Sequence, residues 1–125
     1  MIYEKALDVE KRIRKLIPLL NFTHIDPLRI HCIRSQKTHN RAIARIWGMA
    51  KLFKEVAGID PHYIIEVISE RYDKQSEREK IKTLIHELMH IPKTFSGALL
   101  SHRGPHHRIN DRAVERLLRD LEKEN

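Results

Sequence analysis

The segment Lys82-Thr83-Leu84-Ile85-His86-Glu87-Leu88-Met89-His90-Ile91 most narrows what this chain can fold into. It suits a helix, and apolar residues surround its polar triplet. Leu84, Leu88 and Ile91 take one side of that helix, while His86 and His90, four residues apart, share another. A helix that is apolar nearly all round is a buried one, so the remaining chain must wrap it. Burying two imidazoles and a carboxylate without partners costs on the order of several kcal/mol. A metal ion removes that cost. Paired imidazoles at this spacing chelate zinc, and Glu87, next to His86, reaches a water held at the same ion. Two ligands, a general base and a polarised water are the working set of a zinc hydrolase.

The flanks of the motif define the elements. Ser76-Glu77-Arg78-Glu79 is a capping box and Pro92 is a stop, so the motif helix is expected over 76–91. Upstream, an N-terminal helix is expected within 1–20: Ala6, Leu7, Ile13, Leu16, Ile17 and Leu20 recur near helical period. A sheet region follows over 28–69. Leu28 to Arg34 alternates as a strand, Ala42 to Trp47 is a second short one, and Met49 to Val56 can form a helical turn or two. Tyr63 to Ser69 is apolar on both faces and reads as an interior strand. Its Glu66 is the exception, and a structural ion pair explains it better than a role behind the metal. Residues 92–109 form a loop punctuated by Gly97, Gly104 and Pro105, and loops of this length are often functional. A C-terminal helix is expected over 110–123, capped by Asn110 or Asp111, with Val114, Leu117, Leu118 and Leu121 as its buried stripe.

The chain has 125 residues, the size of one domain spanning 1–125. No apolar stretch approaches the roughly 20 residues needed to cross a bilayer, and the N-terminus lacks a signal-peptide core. Its single cysteine, Cys32, excludes an internal disulfide and suits a reducing, cytoplasmic setting, with the thiol buried in an apolar alternation. The formal net charge of +7 permits weak nucleic-acid association without a concentrated basic run to direct it. Charged residues of both signs make up 33% of the chain, which also suits surface ion-pair networks.

A catalytic zinc takes three protein ligands and keeps one position open. Candidates for the third are His102, His106 and His107, which follow His90 by twelve, sixteen and seventeen positions, and Glu115 on the last helix. A glutamate there would match the glutamate-type zincins, but Arg112 and Arg119 beside it favour an ordinary surface carboxylate. The metzincin spacing is absent, because Lys93 and Ser96 stand where its glycine and third histidine would be.

The stretch Lys82 to Asn110, with His-Glu-Leu-Met-His-Ile-Pro-Lys-Thr-Phe-Ser-Gly and a later Pro-His, resembles a family of small archaeal and phage metallopeptidases. The likeness extends upstream over Tyr63 to Ile68 and more weakly over the N-terminal third. This family is similar in design to the SprT-like zinc proteases and the minimal zincins called minigluzincins. The resemblance implies an α+β, minimal zincin-like fold: a small mixed sheet of about three strands packed on the HExxH helix, with N-terminal and C-terminal helices. In the SprT-like pattern the third ligand is a histidine in the loop after the motif helix. The matching position is His106, preceded by Pro105, with His107 where the pattern has glycine.

The expected function is therefore a zinc metallopeptidase, with one Zn²⁺ on His86, His90 and His106 and Glu87 as general base. Its partner is a peptide or protein substrate bound extended along a strand edge. His102, His107, Arg103 and Tyr72 are candidate donors to the developing oxyanion. Two other readings are a SprT-like protease acting on DNA-associated proteins and a non-catalytic, zinc-stabilised binding module. An intact Glu87 argues against the last.

Overall fold

In the computed structural model, which describes residues 2–39, 41–105 and 107–124, a four-stranded sheet packs against helices on one face. Strand β1 (Ile2–Lys5) leads into α1 (Leu7–Leu19), and a short 3-10 turn (Pro27–Arg29) enters β2 (Ile30–Gln36). Then come β3 (Ala44–Trp47), α2 (Lys51–Ala57), β4 (Tyr63–Ile68), the one-turn α3 (Ser69–Tyr72) and the motif helix α4 (Glu77–Leu88). A small hairpin of β5 (Arg103–Gly104) and β6 (His107–Arg108) precedes α5 (Asp111–Glu124).

The strand order is β1-β2-β4-β3. β2 and β4 run parallel, with Ile30 opposite Tyr63 and Cys32 opposite Ile65; β1 and β3 are antiparallel to their neighbours. The sheet is thus mixed, and β4 is interior, as its two-sided apolar pattern implied. β3 is an edge strand.

Three expectations change. Residues 2–5 are not the start of a helix: Ile2–Lys5 pair with Ile33–Gln36, giving four strands in the main sheet rather than three. A short extended segment satisfies its backbone on the free edge of β2, and the helix begins only after Ala6, whose N–H donates to Cys32 O at 3.0 Å. In α1 the buried stripe is Val9, Ile13, Leu16 and Ile17, while Leu7 faces solvent. The motif helix ends at Leu88 rather than Ile91. Pro92 disfavours helical backbone before it, and the last turn tightens: His90 N–H donates to Glu87 O and Ile91 N–H to Leu88 O, both at 3.1 Å.

One core joins the elements. Ile30, Cys32, Ala44, Tyr63, Ile65 and Val67 from the sheet meet Ile13 and Leu16 of α1, Leu84, Ile85 and Leu88 of α4, and Val114 and Leu118 of α5. Burial pushes the Cys32 thiol up to about 12, so it is a packed, inert thiol. No helix among the described residues is long and apolar enough to cross a membrane.

On the opposite face of the sheet, Glu66 is fully buried and fully partnered. Arg45 Nε donates to it at 2.7 Å, Trp47 Nε1 at 2.9 Å and Ser35 Oγ at 2.5 Å. This is the structural ion pair expected from a lone carboxylate in an apolar strand.

Candidate metal centre

The Ser76 hydroxyl caps α4 by accepting from Glu79 N–H at 3.2 Å, and Leu84, Ile85 and Leu88 anchor its inner side in the core. His86 therefore projects from a rigid last turn. His90 follows just beyond the helix, and its orientation is set by a reciprocal pair of bonds. Leu100 N–H donates to His90 O at 2.7 Å, and His90 Nδ1 lies 2.6 Å from Leu100 O. A ring nitrogen facing a carbonyl oxygen must carry the proton, which leaves Nε2 of His90 with its lone pair free.

That same pairing brings the chain after Pro92 back over the end of α4. A second contact holds it to the sheet. The Tyr63 hydroxyl accepts from Gly97 N–H and donates to Ala98 O, both at 2.8 Å, and Met49 N–H donates to Gly97 O at 2.8 Å. Gly97 sits at φ +95°, and a Cβ there would stand 2.3 Å from Met49 O, so this crossing requires glycine. With residues 97–100 pinned at both ends, His102 swings onto the two motif histidines. Its Nε2 lies 3.2 Å from His86 Nε2, and its ring centroid is 4.7 Å from that of His90. One ligand atom from each of His86, His90 and His102 falls within 4.8 Å of the others, the only such cluster among the described residues.

These three side chains fit a divalent cation. All are imidazoles, one has its tautomer fixed by a carbonyl, and one nitrogen of each ring lies within 4.8 Å of the others. Burial, reinforced by the neighbouring imidazoles, holds His86 below its ordinary pKa. Burial does the same for His90, against the opposing pull of the Leu100 carbonyl. Neutral rings are what a metal requires.

Of the other candidates for the third position, His106 lies outside the described residues. His107 is engaged elsewhere: its Nε2 contacts Ser101 O at 2.9 Å. Glu115 is occupied by Arg78 at 2.7 Å and Lys82 at 3.2 Å, and the Arg78 hydrogen bonds chiefly push its pKa down to about 2. Tyr72, considered as an oxyanion donor, is instead buried in the core under Lys80.

Glu87 lies beside the histidines with only 7% of its surface exposed, and it has no side-chain partner among the described residues. Burial pushes its carboxyl up to about 8. It lines a cavity of about 360 Å³ together with His86, Thr83, Lys82 and Glu79 of α4, Ile43 and Ala44 at the start of β3, and Asp111 and Val114 of α5. The residues that organise this site without a motif are Tyr63, Gly48 and Gly97. In the sequence Tyr63 is one apolar strand residue among several, and the two glycines are far apart, so no local pattern joins them.

No curated protein and no solved structure matches the chain significantly. One family model does, over residues 1–121, and its description reads "Putative phage metallopeptidase". The match spans the sheet, the motif helix and most of α5 as well as the histidine cluster, so this chain belongs to that phage metallopeptidase family.

Proposed function

We propose that this chain is a zinc-dependent peptidase in which His86, His90 and His102 hold the ion and Glu87 is the general base. The observation that carries the reading is the convergence of three imidazoles beside a buried carboxylate that has no side-chain partner among the described residues. Family membership supports hydrolysis of peptide bonds. The third ligand is taken as His102 because its ring stands with the other two, whereas His106 lies outside the described residues.

A divalent cation bound there supplies Lewis-acid polarisation of a carbonyl and lowers the pKa of a water toward about 7. Glu87 accepts a proton from the attacking water on its carboxylate. Desolvation makes it a stronger base than an ordinary glutamate. It then returns that proton to the departing amine from the same carboxyl, so it is restored after each turnover. His90 is kept in one tautomer by Leu100 O, and α4 holds His86 rigidly, so the histidines need little reorganisation. Substrate alignment falls to β3. It is an edge strand whose first residue, Ala44, lines the same cavity as Glu87, so an extended peptide can add to it by backbone hydrogen bonds.

Purified protein loaded with Zn²⁺ is expected to cleave casein or quenched fluorogenic peptides. Chelator should abolish the activity and added metal restore it. Glu87→Gln is expected to retain the metal while kcat falls at least about 100-fold. Full activity in that variant would reject the mechanism.

A further inference from the structure

The cavity beside Glu87 has a composition unlike the molecule around it. The chain as a whole is basic, at +7, but the charged groups on this cavity's walls are Glu79 and Asp111 against one cation, Lys82, with the buried Glu87 carboxyl beside them. Lys82 is not a free positive charge. Its Nζ lies 2.8 Å from Asp111 and 3.2 Å from Glu115, and its side chain is largely covered. Glu115 is in turn claimed by Arg78. Glu79 approaches Lys82 only at 3.9 Å, so its exposed carboxylate is left weakly engaged. The remaining walls are Ile43, Ala44, Val114 and Thr83, with the polar side chains of Gln75 and His86. Glu87, nine-tenths buried and without a side-chain partner among the described residues, opens into the same space.

We infer that this cavity receives a basic side chain of the substrate, lysine or arginine, from the residue flanking the cleaved bond. The inference rests on the peptidase reading above and adds the substrate class. A long cationic side chain is amphipathic: its methylene stem suits the walls formed by Ile43, Ala44 and Val114, and its charged head suits the weakly engaged Glu79 carboxylate. A substrate carboxylate would meet like charge from Glu79, with the Lys82 ammonium already paired to Asp111 and Glu115. A neutral apolar side chain would cover the carboxylates without replacing the water they lose. Selectivity is therefore electrostatic and local, against a background of positive charge that repels basic peptides elsewhere on the surface.

The test uses the Zn²⁺-loaded full chain and three quenched peptides, identical except for arginine, norleucine or glutamate at the position flanking the cleaved bond. Mass spectrometry locates that bond. The arginine peptide is expected to exceed the norleucine peptide about tenfold in kcat/KM, with glutamate lowest, and the advantage should shrink as salt rises. Glu79→Gln keeps the residue type a capping box accepts and is expected to bring the arginine-to-norleucine ratio toward unity. Equal kcat/KM for the three peptides would overturn the inference while leaving the peptidase reading intact. Binding of the same peptides to the same metal-loaded protein, followed by fluorescence anisotropy, separates the other case. If none is cleaved but the arginine peptide binds about tenfold more tightly to wild type than to Glu79→Gln, the cavity assignment stands and the peptidase reading falls. Absence of both cleavage and preference overturns both.

Discussion

At His90 one short contact determines which nitrogen is available. The 2.6 Å approach of Nδ1 to Leu100 O requires a proton there and leaves the Nε2 lone pair free on a ring packed beside His102 and His86. His86 and His90 were assignable from the primary structure because four-residue spacing on a helix is a geometric constraint in itself. The third position was open among four residues because a loop carries no such periodicity. His102→Ala is expected to weaken Zn²⁺ binding by at least about 100-fold, the upper end of what loss of a supporting contact alone costs. Competition with a chromophoric chelator measures this. Unchanged affinity would move the third ligand to another residue of the loop, with His106 the next to replace.

Among the elements, the segment from Pro92 to His102 behaves as a strap rather than a free loop. Phe95 packs its ring 5.1 Å from that of Tyr63, the Tyr63 hydroxyl bridges Gly97 N–H and Ala98 O, and Gly48 and Gly97 cross closely enough to exclude any side chain. Tyr63→Phe removes both bonds and strands a buried backbone N–H. It is expected to cost about 1–3 kcal/mol in urea unfolding of the metal-free protein. It should also weaken Zn²⁺ binding about tenfold, because the strap delivers His102. A variant with unaltered metal affinity would show that the strap is not what holds the ligand. Glycine punctuation at Gly97 and the length of the segment marked it as functional in the sequence. Its anchor was hidden because Tyr63 sits in an apolar strand where an aromatic needs no further explanation. α4 likewise ends three residues before the position Pro92 implies: Pro92 marks where a helix must have stopped, not where its last turn tightens.

For the molecule as a whole, the outer face of the sheet depends on Glu66. Burial raises its pKa, but hydrogen bonds from Arg45, Ser35 and Trp47 outweigh burial and hold it below 4.5. A carboxyl depressed in the folded state stabilises the fold above its unfolded pKa, and that contribution is lost as pH falls through the folded value. Wild type is therefore expected to lose stability below about pH 4.5. Glu66→Gln should be about 1–3 kcal/mol less stable at pH 7 and should lose less on acidification. Urea midpoints at neutral and acid pH decide this, and parallel losses in the two proteins would show that Glu66 carries no pH-dependent stability. What the sequence determined by itself was everything governed by short-range period: the apolar interior strand with its lone carboxylate, the capped motif helix and the amphipathic α5. What only the tertiary structure decided was everything that depends on distant backbone meeting. The N-terminal residues became a strand because β2 offered an unpaired edge. Glu79 and Asp111 came to face one cavity because α5 lies against α4. His102 joined the motif histidines because the Leu100 backbone N–H and the Tyr63 hydroxyl, far apart along the chain, hold one strap in place.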